Sequence, residues 1–176
     1  MSATVEAVFA FLNSAGIAYR AVRHAPASTM ADCAAVDREL GSLTPKNIFL
    51  TTKNRKRFYL CLTGPDARFH TADISRQAGS SRLSFAPEEQ LFAHLRAHGG
   101  SASPLGLIFP EAKDVGLLVD GRLREAETLG FHPCDNTCTI ALSAGEFFGR
   151  FLPAAGVEPR FVEIHDFLTP EEAIKP

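Results

Sequence analysis

At 176 residues and 45% hydrophobic content, the chain has the size of one domain and enough apolar mass to bury a core without disulfide or metal staples, which excludes long disorder. A formal net charge of −2 excludes a non-specific DNA coater, which needs a clear excess of Lys and Arg. Fourteen Phe and no Trp point to a Phe-rich core.

In chain order, Val5, Val8, Phe9 and Leu12 recur at helical spacing and predict a helix over 4–14, ended by Gly16. A short strand follows over 19–22. Ser28 or Thr29 then caps a helix to about Leu40, with Asp32 in its first turn. Strands over 48–52 and 57–62 are joined by the polar link 53–56 as a hairpin. Short helices are expected over 73–77 and 87–98. Strands over 105–109 and 115–119 come next, then a turn at Asp120-Gly121 leading into a strand over 122–124. A strand over 137–142 precedes a helix capped by Ser143, with Glu146 completing a capping box, and a last strand runs over 161–164. Strands and helices mixed without regular βαβ alternation predict an α+β fold in a single domain over 1–176.

Cys33, Cys61, Cys134 and Cys138 sit in a chain whose start lacks a signal-peptide pattern, and no apolar run approaches the ~20 residues of a membrane span. The expectation is a cytoplasmic, reducing setting with free thiols and no membrane partner.

Three stretches could carry chemistry. Lys46-Asn47 stands before an apolar strand, where the lysine stem packs and the ammonium projects beyond the sheet to meet a phosphate or an oxyanion. Gly100-Ser101-Ala102-Ser103-Pro104-Leu105 is a small-residue loop whose backbone can approach a ligand, with neither the Gly-Lys-Ser/Thr of a P-loop nor a dinucleotide fingerprint. His132, Cys134 and Cys138 could supply three zinc ligands, but the cysteines lack zinc-deaminase spacing and no His-x-Glu exists. Neither Cys134 nor Cys138 has a Lys or Arg beside it to make a reactive thiolate. Lys53, Arg55, Lys56 and Arg57 form a local cationic tip suited to nucleic-acid phosphates. His24, His70, His94, His98 and His165 read as surface or capping residues.

In order and spacing, Lys46-Asn47-Ile48-Phe49-Leu50, Gly100-Ser101-Ala102-Ser103-Pro104 and His132-Pro133-Cys134-Asp135-Asn136-Thr137 resemble the YbaK/ProX family, relatives of the editing domain of bacterial prolyl-tRNA synthetases. The resemblance implies a mixed, partly barrel-like sheet with packed helices. It also implies hydrolysis of the ester between a wrong amino acid and the 3′ adenosine of tRNA(Pro), without cofactor or metal. It assigns catalysis to Lys46, Asn47 and Gly100, and substrate contacts to Ser101, Ala102, Ser103, Pro104, Leu105, His132 and Asn136. Ala102, Leu105 and His132 are candidate walls of the amino-acid sieve. Asn136 favours alanine over cysteine, since the cysteinyl editors place an Asp near this point. The implied partners are mischarged tRNA(Pro), held in part by the Lys53–Arg57 tip, and prolyl-tRNA synthetase. The resemblance also implies a site without a Ser-His-Asp triad, a Cys-His pair or a metal. Two other readings stay open: a tRNA-binding module without catalysis, and a zinc hydrolase using His132, Cys134 and Cys138.

Overall fold

In the computed structural model, which describes residues 2–27 and 29–169, the strands divide between two sheets. The larger runs from edge to edge through β4 (Leu83–Phe85), β2 (Lys46–Thr52), β3 (Phe58–Thr63), β5 (Val115–Asp120) and β8 (Pro159–Val162). β2 pairs antiparallel with β3 and β4, whereas β3–β5 and β5–β8 are parallel. The smaller, antiparallel sheet runs through β1 (Arg20–Arg23), β7 (Cys138–Ser143) and β6 (Thr128–Phe131). The α+β class with a mixed sheet and packed helices stands; the strands are divided between two sheets, neither closed into a barrel.

Both faces of the larger sheet are covered. Phe49, Leu60, Leu62, Leu117 and Val119 point into the main core with Phe131, Phe147 and Phe151, while Leu50, Cys61 and Leu118 face a second cluster with Ile74, Leu83 and Val162. A sheet buried on both faces needs no polar alternation, so residues 58–62 of β3, 115–119 of β5 and 48–50 at the centre of β2 are consecutive apolar residues. Around the sheets pack α1 (Ala3–Ser14), α2 (Met30–Leu40), α3 (Thr71–Gln77) and α4 (Glu88–Leu95). Thr29 caps α2 in a reciprocal box with Asp32; Ser28 lies outside the described residues.

Several elements differ from the sequence-based expectation. The apolar run from Leu105 is a 3₁₀ helix (Pro104–Ile108), because Pro104 occupies its first turn and Ser103 Oγ accepts the Leu105 N–H at 3.1 Å. The expected strand after Asp120-Gly121 is likewise a 3₁₀ turn (Gly121–Glu125), capped when the Asp120 carboxylate accepts the Arg122 N–H. β4 and β6 are short strands that carry too little pattern to be foreseen, and the last strand lies two residues earlier than expected. Ser143 does cap the helix that follows, whose three parts are α5 (Ala144–Glu146), a π turn (Phe147–Phe151) and α6 (Leu152–Ala154). The Glu146 carboxylate, however, accepts from Ala18 N–H at 3.0 Å instead of closing a capping box.

One connection sets up the site. Between α2 and β2, Leu43 bridges to the smaller sheet, donating its N–H to Thr128 O and accepting from Gly130 N–H. Asp37, on α2, accepts from Ser42 Oγ, Thr44 N–H and Thr44 Oγ1 at 2.7–3.0 Å. At Gly130 a Cβ would stand 2.8 Å from Thr44 Oγ1, so only glycine lets β6 approach this linker. The linker thus delivers Lys46, the first residue of β2, to the junction of the two sheets.

Candidate active site

A cavity of about 200 Å³ opens at that junction. Ala27, Thr29, Met30 and Cys33 line it from the start of α2; Thr44, Pro45, Lys46 and Asn47 from the linker and β2; Gly100 and Ala102 from the small-residue loop; and His132 from the turn after β6. Residues far apart in sequence therefore share one hollow.

Lys46 is half-buried, and its Nζ donates to the Ala67 carbonyl at 2.9 Å, leaving two ammonium hydrogens without an acceptor among the described residues. Burial holds its pKa below the ordinary lysine value, and the nearby Asp66 carboxylate pulls the other way. Asn47 Nδ2 donates to Pro45 O at 3.3 Å, while its buried Oδ1 accepts from no described group. Asn47 lines the cavity, and a buried acceptor without a partner is costly unless a small shift turns it to a ligand or water.

The loop is braced from behind. Gly100 has φ +80°, a left-handed conformation that a side chain would strain. Ser101 is buried, its hydroxyl 3.0 Å from His98 O and 3.3 Å from Cys134 O, which ties the loop to the His132 turn. The N–H groups of Gly100 and Ala102 have no acceptor among the described residues.

His132 is 6% exposed. Its Nδ1 lies 2.8 Å from Cys138 O, and a carbonyl only accepts, so Nδ1 carries the proton and Nε2 offers a lone pair. Burial pushes its pKa below the ordinary histidine value, opposed by the Cys138 hydrogen bond. Cys33 Sγ is 3.9 Å from Nε2, a weak thiol contact. Behind the ring, His24 Nε2 accepts from Thr139 Oγ1 at 2.9 Å, and the two imidazoles stand 5.8 Å apart.

Of the expected site residues, Lys46, Asn47, Gly100, Ala102 and His132 line the cavity. Ser101, Ser103, Pro104 and Leu105 do not: they are buried behind the loop, and Leu105 packs in the main core instead of lining this cavity. Asn136 sits outside the lining, its carbonyl accepting from Ala27 N–H at 2.9 Å and so fixing the approach to α2. Lys53, Arg55, Lys56 and Arg57 form the hairpin at the far end of β2, about 20 Å from Lys46 at 3.3 Å per strand residue. There Lys53 and Arg55 line a separate hollow with Arg82 and Phe85.

The absence of a Cys-His pair is corrected: Cys33 and His132 meet, although Cys33's thiol pKa is raised by burial and by Asp37 and Asp32, which disfavours a thiolate. Cys134 is buried and has its pKa pushed up to about 12 by burial, and no group of three His, Cys, Asp or Glu among the described residues is placed to hold a metal ion. Sequence reasoning missed Thr29, Met30 and Cys33 as lining residues, which only folding of α2 against the His132 turn brings in, and His24, which the pairing of β1 with β7 sets beside His132.

The aminoacyl-tRNA editing domain model matches residues 24–148, a span that contains all three motifs. The chain is 30% identical over 138 residues to the prolyl-tRNA editing protein ProX of Acetoanaerobium sticklandii, covering 78% of this chain and 84% of that protein. It is 30% identical over 152 residues to the prolyl-tRNA synthetase associated domain-containing protein 1 of Mus musculus, covering 84% and 89%. Its fold matches the crystal structure of hypothetical protein APE2540 with a TM-score of 0.71 at 17% identity, over 90% of this chain and 99% of that one. A structure described as a candidate trans-editing enzyme for prolyl tRNA synthetase superposes with a TM-score of 0.72 at 15% identity, over 94% and 99%. The chain belongs to the aminoacyl-tRNA editing domain family, in its YbaK/ProX group.

Proposed function

We propose that this protein is a trans-editing deacylase that hydrolyses mischarged tRNA(Pro), with alanyl-tRNA(Pro) as its substrate. The observation that carries the reading is the convergence of Lys46, the Gly100–Ala102 loop and His132 on one cavity.

An aminoacyl ester is already activated, so placement and charge stabilisation suffice, and no metal or strong nucleophile is required. Water adds to the carbonyl carbon. The developing oxyanion is held by the Gly100 and Ala102 N–H groups, with the Lys46 ammonium adding charge there or at the terminal phosphate. The tetrahedral adduct then collapses: the bond to the ribose 3′ oxygen breaks, that oxygen takes the proton lost by the attacking water, and free alanine and tRNA leave. Asn47 Oδ1 and His132 Nε2, both acceptors, suit the α-ammonium of the bound amino acid.

The physical need is clear. A pocket built for proline rejects the smaller alanine by only about 1–3 kcal/mol per methylene, so a second sieve has to remove the error. Ala102, His132, Met30 and Cys33 form the walls of a small cavity that fits this task. The Lys53–Arg57 hairpin, at the opposite end of β2, would hold phosphates of the same tRNA.

The test is alanine release from alanyl-tRNA(Pro), run beside cysteinyl-, seryl- and 2-aminobutyryl-tRNA. Faster release from the cysteinyl ester would move the substrate, and no release from any would remove the function. A second reading, attack by the Cys33 thiol, is suggested by its contact with His132. It fails if Cys33→Ala keeps its activity.

A further inference from the structure

We infer that the segment Asp166–Leu168, with Arg122, is a clamp that positions Lys46 for the reaction through the Ala67 carbonyl. The inference rests on the deacylase reading for the chemistry, and on this structure alone for the clamp.

Among the described residues the ammonium of Lys46 has one acceptor, Ala67 O, which belongs to the loop that follows β3. That loop is held on three sides. Asp120, at the end of β5, accepts from Gly64 N–H at 3.2 Å. Arg122 pairs with Asp66 at 3.4 Å and with Asp120 at 2.8 Å. Across its outer edge the later segment lays down a short antiparallel bridge: Arg68 N–H donates to Asp166 O at 2.9 Å, and Leu168 N–H donates to Asp66 O at 2.7 Å. These two bonds flank Ala67 itself, which pairs with Phe167. The Phe167 ring in turn lies 4.1 Å from the Arg122 guanidinium carbon, locking the clamp to the ion pairs.

Phe167 and Leu168 line no wall of the cavity, and Phe167 is 38% exposed. Core packing accounts for the burial of Ala67 in the second cluster but not for the half-exposed Phe167 laid across it. A lysine stem has four rotatable bonds, and a fixed acceptor at its tip selects one pose from many. Ala67 is itself buried, so removing the clamp takes away the two hydrogen bonds that flank it and loosens the carbonyl to which the ammonium is bound.

The experiment is a double-mutant cycle in the full chain, measuring single-turnover release of alanine from alanyl-tRNA(Pro). Phe167→Ala removes the ring under Arg122, and Leu168→Pro removes the N–H that reaches Asp66. Each should lower kcat about three- to tenfold, the range expected for one well-placed hydrogen bond, with KM within about twofold. Phe167→Tyr, which keeps the ring, should restore the rate. In a Lys46→Ala background neither variant should slow release further. Equal losses with and without Lys46, or no loss in either variant, would overturn the clamp. A second readout does not depend on activity: NMR signals of the Lys46 Cε–H group, identified with Lys46→Arg, should shift in Phe167→Ala at neutral pH. Unshifted signals would overturn the clamp even if alanine is released, and an inactive wild type with shifted signals would remove only the deacylase reading. If Leu168→Pro fails to fold, Phe167→Ala and its tyrosine counterpart decide the matter.

Discussion

His132, which lines the cavity, donates its Nδ1 proton to the Cys138 carbonyl at 2.8 Å, and this single bond leaves Nε2, 3.9 Å from Cys33 Sγ, as an acceptor. The ring is held neutral by burial as well, so it can receive a substrate ammonium where a charged imidazolium would repel one.

The same burial makes stability pH-dependent. The folded pKa of His132 lies below the ordinary value of 6.5, so the unfolded chain binds the extra proton first. Its contribution is fully present above pH 6.5 and is lost as pH falls from there through the folded pKa. Thermal unfolding followed by circular dichroism should show Tm falling more steeply for the wild type than for His132→Gln below about pH 6.5. Parallel curves would place the titrating group elsewhere.

Cys33 touches His132 but should not be a nucleophile. Its thiol pKa is raised, and those of Cys61 and Cys134 are pushed up to about 12 by burial, so thiolate is scarce at neutral pH. Deacylation by Cys33→Ala should stay within about threefold of wild type, and the wider cavity should admit larger amino acids, with discrimination changing by about 1–3 kcal/mol per methylene. A loss of a hundredfold or more would restore the covalent mechanism.

The hairpin should govern tRNA affinity, not chemistry. Lys53→Ala combined with Arg55→Ala should raise KM for charged tRNA and flatten the dependence of binding on salt by about one unit per lost phosphate contact, while kcat holds. Filter binding from low to moderate salt measures the slope. An unchanged slope would free these residues from a role in binding.

Asp37 should prove structural. Its carboxylate accepts three hydrogen bonds from Ser42 and Thr44, which hold the linker leading to Lys46. Asp37→Ala should cost about 1–3 kcal/mol in urea unfolding, because polar groups are left without partners. A change below about 0.5 kcal/mol would mean the linker is held by Leu43 and Gly130 alone.

How much of this was legible beforehand depends on range. Thr29, Ser143 and the apolar periods of α1, β2 and β3 act locally, so their elements could be read from neighbouring residues. Ser103-Pro104 also acts locally, yet its 3₁₀ helix passed for a strand because five apolar residues in a row fit either structure. The three site motifs were visible as sequence, but their meeting was not. It depends on the Leu43 bridge between the sheets and on Ser101 reaching Cys134 O, contacts across long separations that no local pattern encodes. Cys33 and Met30 look like ordinary helix residues until α2 docks, and Leu105 looked like a wall because it follows the loop, although its side chain turns into the core.

The most direct test compares single-turnover hydrolysis of alanyl-tRNA(Pro) and prolyl-tRNA(Pro) by the wild type and Lys46→Ala. The expected result is rapid release of alanine, little release of proline, and at least a tenfold loss in the variant, equivalent to about 1.4 kcal/mol of transition-state stabilisation. Equal hydrolysis by wild type and variant, or none of the alanyl ester by either, would contradict the account.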